Sequence, residues 1–296
     1  MKRILLASLV MIATFAQADL NTVVSILPQK TFVEAIGGDK VNVTLMVKPG
    51  NSPHSYEPKP SQMRDIAKAD IYFALDVEFE HTWLPKFKSQ NNSMKIVDLD
   101  HGIQKSRLEK HSHHEKEHGH DDHEEHHDEH DDHEEGLDPH IWTSPSNVKI
   151  IATNIYNTLC SEDSANKDYY KSNYEKFLKH IKTTDQKIKT ILKDVPKHSK
   201  FMVFHPAWGY FAAQYNLTQI AIEAGGKNPK PKHIAYLIEE AKEENIKAVF
   251  TAPEFSDTAA RQIAKELGVP VIKVSPLNPK WSKNLQRLAK AIANKR

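Results

Sequence analysis

The sequence predicts an α/β fold of two lobes with mostly parallel sheets, joined by one long helix. Short β-rich runs alternate with helical segments in the first half of the chain, and the second half repeats the alternation. That order is typical of βα units around parallel strands. Between the halves, residues 165–193 contain no glycine or proline and carry apolar residues at helical spacing.

The first half contains four short apolar or alternating runs, which we interpret as strands at residues 22–27, 41–47, 71–75 and 95–99. Helices are expected at 29–36, at 60–69 and at 146–159. The second of these opens at a proline, and the third has Ser144 or Ser146 as its N-cap.

The second half repeats the pattern with strands expected at 201–204, 217–222, 248–251 and 271–274. The helices between and after them are expected at 208–215, 232–244, 257–267 and 283–293. The stretch 165–193 would form a helix about 40 Å long, enough to join two lobes. Two shorter helices, broken near Thr183 and Thr184, are the alternative.

The N-terminus has the three parts of a secretory signal. Lys2 and Arg3 form the positive end, residues 4–15 form an apolar core too short to span a bilayer comfortably, and Ala16-Gln17-Ala18 fits the cleavage rule. We expect a mature chain that starts at Asp19, without a lipidated cysteine, in the periplasm of a two-membrane bacterium. The predicted organisation is a signal peptide at 1–18, a first lobe at 19–164, the linking helix at 165–193 and a second lobe at 194–296.

Ten of the 18 histidines lie between His111 and His133. The wider segment 109–135 has thirteen acidic residues against two lysines and almost no apolar side chain, so we expect it to be disordered. Neutral imidazoles bind zinc, copper and nickel well, which favours interaction with metal ions over a solvated charge run or a pH-sensitive spacer. A flexible tract does not hold its ligands in place beforehand, however, so the tight site is expected elsewhere.

Composition excludes several other kinds of site. Cys160 is the only cysteine, which excludes a disulfide within the chain and a zinc site built from several thiolates. Without the signal and the tract the chain carries a charge of +10, but its lysines are spread along helices rather than clustered with aromatic residues. We interpret them as a solvated surface rather than as a site for nucleic acid or membrane.

Three further histidines stand in turn-like contexts next to predicted elements. His54 follows the strand predicted at 41–47, His140 follows the acidic tract, and His205 stands at the carboxyl end of the strand predicted at 201–204. Ligands of open α/β sheets bind outside the carboxyl ends of strands, so these histidines are candidate metal ligands.

The segments around these histidines resemble three blocks of the metal-specific solute-binding proteins of bacterial ABC importers. The blocks read PGNSPHSYEPKPSQ, GLDPHIWTSP and FMVFHPAWGYFA, and the later segment AGGKNPKPKHIAYLIEEAKEENIKAVFTAPEF resembles that family as well. The long His/Asp/Glu insertion before the second block is similar to that of the zinc-uptake branch. The resemblance implies two α/β lobes joined by one rigid helix, with the metal in the cleft between them. It also implies His54 and His140 as ligands from the first lobe and His205 from the second.

The resemblance leaves the fourth ligand open. Ser275 stands where many relatives have aspartate, Pro53 where some have glutamate, and Ala252 where glutamate is frequent. We therefore expect water in the fourth position, with Glu57 and Glu254 as the alternative protein ligands.

The expected function is capture of Zn²⁺ in the periplasm and delivery to an inner-membrane ABC permease and its ATPase, by a monomer that catalyses no reaction. Three imidazoles and water suit tetrahedral Zn²⁺ better than Mn²⁺, which prefers oxygen ligands. The histidine-rich tract would collect or sense zinc. The alternatives are a zinc-dependent hydrolase, for which we find no His-Glu-x-x-His helix, and a periplasmic metal buffer.

Overall fold

The structure is a computed structural model that describes residues 19–107, 136–223 and 227–294. The predicted signal peptide and the histidine-rich tract at 109–135 lie outside the described residues. Within the described ranges, no helix combines the length and the apolar character needed to cross a bilayer.

The first lobe contains a parallel sheet of four strands in the order β2-β1-β3-β4. The strands are β1 (Leu20–Val24), β2 (Val41–Leu45), β3 (Ile71–Ala74) and β4 (Lys95–Asp98). The helices between them are α1 (Leu27–Gly37), α2 (Pro60–Ile66) and α3 (Glu78–Gln90). Every residue of β3 is buried, as expected for a central parallel strand that is covered on both faces.

The second lobe repeats this order with β6-β5-β7-β8. Its strands are β5 (Lys200–Val203), β6 (Thr218–Ala221), β7 (Val249–Thr251) and β8 (Val271–Lys273). Its helices are α6 (Gly209–Gln214), α7 (Pro231–Glu243) and α8 (Thr258–Leu267), and α9 (Trp281–Ile292) follows the last strand. In the first sheet β1 and β3 are neighbours, and the chain continues from β1 to β2 on one side and from β3 to β4 on the other. The second sheet has the same arrangement around β5 and β7. The carboxyl ends of these pairs are therefore topological switch points, where ligands of open α/β sheets bind.

A single helix links the lobes, as predicted. After α4 (Pro145–Glu162), α5 runs without a break from Lys167 to Leu192, and at 26 residues it is about 40 Å long. The break considered near Thr183 and Thr184 does not occur in this helix. The Thr184 hydroxyl donates to the His180 carbonyl within the helix and pairs with Ser282 of α9.

Polar side chains connect α5 to both lobes. The Asp185 carboxylate on α5 accepts hydrogen bonds from Gln214 Nε2 at 2.9 Å and from the Tyr215 hydroxyl at 3.0 Å. Gln214 Oε1 in turn accepts from the Ser144 hydroxyl, whose oxygen caps α4 by accepting from the Asn147 N–H. Of the two predicted N-caps, Ser144 is therefore the one that caps α4. It belongs to a chain of hydrogen bonds that joins α4, α5 and α6.

The predicted lobe boundaries stay a prediction. The C-terminal helix α9 does not pack on the second sheet alone, since it also contacts α5. Trp281 at its start meets the ring of Phe32 in the first lobe edge-on, with centroids 5.6 Å apart.

Helix α3 is the α-helix of the described chain that the sequence did not predict. It is polar overall and contains Pro85, so it lacks a clear apolar period. Its start is set by Glu80, a fully buried carboxylate that accepts hydrogen bonds from the backbone N–H groups of Leu75 and Val77 and contacts the Ser25 hydroxyl.

Burial raises the pKa of Glu80 from 4.5 to about 8, because its backbone hydrogen bonds offset desolvation only in part. Between these two pH values the folded state binds more protons than the unfolded state, so this residue destabilises the wild type progressively as pH rises.

We expect Glu80→Gln, whose amide can donate to Ser25 and accept from the backbone, to gain stability relative to wild type from about pH 5 to about pH 8. Urea unfolding at both pH values measures this, with the exposed Glu57→Gln as control. A stability difference that does not change with pH would contradict the prediction.

Candidate metal centre

The structure brings the three predicted histidines together from distant parts of the chain. His205 Nε2 lies 3.2 Å from His54 Nε2 and 3.2 Å from His140 Nε2. Ligand atoms of all three residues lie within 4.8 Å of one another. Four ligands placed tetrahedrally at about 2.0–2.1 Å from zinc are separated by about 3.3 Å, so two of the three edges already have the length that zinc requires.

Each histidine reaches this point from the end of a different segment. His54 lies in the loop between β2 and α2, and His205 directly follows β5. His140 precedes a short 3₁₀ helix, Ile141–Thr143, that leads into α4. His140 is buried and His54 is exposed, so the cluster has one side closed by protein and one side open to solvent.

Every imidazole also has a carboxylate on its other nitrogen. His140 Nδ1 lies 2.7 Å from Asp138 Oδ1, and His205 Nδ1 lies 2.7 Å from Glu223 Oε1. His54 Nδ1 pairs with Glu78 in the same way. A carboxylate that accepts the Nδ1 proton fixes the tautomer in which Nε2 is free to bind a metal.

These three carboxylates were not identified from the sequence. Asp138 stands only two residues before His140, and this short spacing was the one sequence signal that could have pointed to it. Its side chain also accepts a hydrogen bond from the His140 backbone N–H at 2.9 Å. Glu223 and Glu78 follow β6 and β3, and only the order of strands in the sheets brings them beside their histidines.

The electrostatics of His205 favour its metal-binding form. Burial lowers the pKa of this imidazole below its usual value, while the hydrogen bond to Glu223 opposes that shift less strongly. The neutral ring, which binds metal, is therefore the form that persists near neutral pH.

Apolar side chains close the cavity around the histidines. The ring of Phe255 stacks on His205 with centroids 4.5 Å apart, and Trp142 lies 5.3 Å from the His140 ring. The Trp142 indole is held in place by donating to the Pro276 carbonyl at 2.9 Å. The cavity has a volume of about 20 Å³, which suits a single ion or water rather than an organic ligand.

The two alternative protein ligands occupy different environments. Glu254 lines the cavity, and its Oε1 accepts a hydrogen bond from the Ser275 hydroxyl at 2.7 Å. Glu57 is exposed and is absent from the cavity wall in the described part of the chain.

The described residues on either side of the histidine-rich tract pair with each other near His140. Arg107 and Leu137 form an antiparallel bridge, and the Asp138 N–H donates to the Ser106 carbonyl at 2.8 Å. The Tyr210 hydroxyl, from the second lobe, donates to the Asp138 carbonyl at 2.8 Å and accepts from the Ser106 N–H. Gly209 allows this approach, because a Cβ there would lie 3.0 Å from the Asp138 carboxylate.

Two parallel α/β lobes, a long connecting helix and a small cleft lined by converging side chains define a two-lobed solute-binding protein. The family model of the periplasmic zinc-uptake complex component A, ZnuA, matches residues 22–295, and the chain belongs to this family. The resemblance identified from the three histidine blocks is thereby confirmed.

Curated relatives agree with this assignment. The high-affinity zinc uptake system protein ZnuA of Bacillus subtilis is 32% identical over 254 residues, which cover 84% of this chain and 76% of that protein. The zinc-binding protein AdcA of Streptococcus pyogenes serotype M3 is 27% identical over 276 residues, covering 92% of this chain and 53% of that protein. The chain thus spans about half the length of the AdcA relatives.

Solved structures share the fold. A crystal structure of ZnuA has a TM-score of 0.82 and 38% identity, and the match covers 94% of this chain and 99% of that one. A ZnuA deletion mutant with zinc bound has a TM-score of 0.80 at 38% identity, over 93% of this chain and 97% of that one. The predicted two-lobed α/β fold with a long linking helix is confirmed.

Proposed function

We propose that this protein captures Zn²⁺ in the periplasm through His54, His140 and His205 and delivers it to an inner-membrane ABC permease with its ATPase. The observation that carries the proposal is the convergence of three Nε2 atoms, each on a ring whose Nδ1 is paired with a carboxylate. Such a site needs little reorganisation to bind an ion, because the rings are already oriented.

The donor set supports zinc over manganese. Three neutral imidazoles and one water complete the tetrahedron that Zn²⁺ prefers, whereas Mn²⁺ prefers more oxygen ligands and binds weakest among the first-row divalent ions. Copper would bind more tightly at equal supply, so zinc selection rests on geometry and on the metal that is available.

The size of the cavity favours a binding protein over a hydrolase. A cavity of about 20 Å³ suits a single ion or water, whereas organic ligands occupy sites of about 300–1,000 Å³. The ZnuA and AdcA relatives are a zinc-uptake system protein and a zinc-binding protein, which supports the same interpretation.

Zinc titration of two forms tests the cleft and the tract together. We expect the mature chain from Asp19 to bind one zinc tightly and further ions weakly. The same chain lacking residues 109–135 should keep the tight site, because His54, His140 and His205 lie outside the deletion. It should lose the weak sites, because the deletion removes ten histidines. Loss of the tight site on excision would contradict the assignment of that site to the cleft.

Uptake separates a transport component from a metal buffer. Cells without the protein should grow poorly when a chelator makes zinc scarce, and the excised form should restore growth less well than the intact form at the lowest zinc. Sensitivity only to excess zinc would indicate a buffer, and equal rescue by both forms would refute the collecting role of the tract.

A further inference from the structure

One carboxylate in the cavity wall is fixed in place by the second lobe. Glu254 follows β7, and its Oε1 accepts a hydrogen bond from the Ser275 hydroxyl, at 2.7 Å, in the loop after β8. The Ser275 oxygen is itself positioned by the backbone N–H of Leu277 at 3.0 Å, and the Ser275 carbonyl accepts from the Asn284 amide at 2.8 Å. Glu254 is therefore held toward the cavity that the three histidines share.

The second oxygen of this carboxylate has no partner. Glu254 Oε2 is buried, and no donor among the described residues forms a hydrogen bond with it. A buried carboxylate oxygen without a donor is costly, and native structures satisfy the great majority of such atoms with protein or ordered water. The cavity that Glu254 lines is the place where an occupant could supply such a donor.

We infer that Glu254 positions the fourth ligand of the bound zinc, a water that donates a hydrogen bond to Oε2. This inference rests on the proposed function. The three histidines supply three corners of a tetrahedron, and the described ligand atoms that lie within 4.8 Å of one another belong to these histidines and not to Glu254. The carboxylate lines the same cavity but lies outside the set of mutually close ligand atoms, which suits a group that acts on the metal through a water.

This arrangement gives Ser275 a role as well. Its hydroxyl donates to one oxygen of Glu254, which leaves the other oxygen free to accept from the water. The carboxylate also places a negative charge beside the fourth position, so it favours water there and repels small anions that would otherwise replace the water.

Glu254→Gln tests the inference, because glutamine can still accept from Ser275 but presents an amide to the water. We expect zinc affinity, measured by competition with a chelator, to fall about tenfold to a hundredfold, as for other groups that orient metal ligands. Glu266→Gln, at an exposed position of α8 outside the cavity wall, should leave zinc affinity unchanged. Thermal unfolding of the zinc-free variant should match that of wild type, because glutamine keeps an acceptor for the Ser275 hydroxyl.

A second readout separates positioning of the water from a general structural role. In the protein loaded with Co²⁺, azide binding to the metal is followed by the change in visible absorption. We expect Glu254→Gln to bind azide at least several-fold more tightly than wild type. Equal azide affinity in the two proteins would overturn the inference.

A crystal structure of the zinc-loaded wild type completes the test. The inference requires a water about 2.0–2.2 Å from zinc and about 2.5–2.7 Å from Glu254 Oε2. A Glu254 oxygen bound directly to zinc would overturn the inference. So would a glutamine variant that binds zinc as tightly as a tightly binding wild type. If wild type itself binds no zinc tightly, the proposed function fails, and the inference fails with it.

Discussion

Replacing His205 with alanine should weaken zinc binding by roughly a hundredfold to a thousandfold. Zinc sites in small proteins contribute about 10–16 kcal/mol, or about 2.5–4 kcal/mol for each of four ligands if the ligands share it evenly. Each 1.4 kcal/mol corresponds to a tenfold change in the dissociation constant. The His205 ring is the one nearest to both other ligands, so the substitution removes the central ligand of the cluster.

The measurement is a zinc titration in competition with a chelator of known affinity, for wild type, His205→Ala and a matched control. His101→Ala is a suitable control, because His101 is exposed and lies outside the cluster. Circular dichroism should show the same secondary structure in all three. Tight zinc binding by His205→Ala, with one ion per chain, would remove His205 from the site.

The sequence predicted the strands well because parallel strands that are covered on both faces are apolar along their length. Ile71–Ala74 and Lys200–Val203 are found within about one residue of their predicted positions. Helix α3 was missed for a physical reason. Its position depends on Glu80, a buried carboxylate that accepts from Leu75 and Val77, and a charged residue in the sequence gives no indication that it will be buried.

The candidate site was predicted in part, for related reasons. The histidines could be found because each follows a strand or adjoins a proline, and because their flanking residues resemble a known family. The carboxylates Glu78 and Glu223 could not be found, because each is separated from its histidine by at least 18 residues and meets it only through the strand order of the sheets.

Asp138→Asn should weaken zinc binding by about tenfold, and Asp138→Ala by about a hundredfold. Asp138 is 2% exposed and accepts from both the backbone N–H and the Nδ1 of His140, at 2.9 Å and 2.7 Å. Asparagine keeps an acceptor for these donors but removes the charge that makes the imidazole a stronger ligand. Alanine removes both and leaves two buried donors unpaired.

The difference between the two Asp138 variants separates orientation from charge. If the carboxylate only orients the ring, asparagine should bind zinc almost as well as wild type, whereas a purely electrostatic role predicts equal losses for asparagine and alanine. The expected graded loss requires both contributions. Asp98→Asn, at an exposed position at the end of β4, provides the control for a general loss of negative charge.

Because Asp138 also adjoins the bridge between Arg107 and Leu137, each titration should be repeated on the form lacking residues 109–135. The same graded loss in that form would assign the effect to the cleft, whereas its disappearance would assign it to the tract.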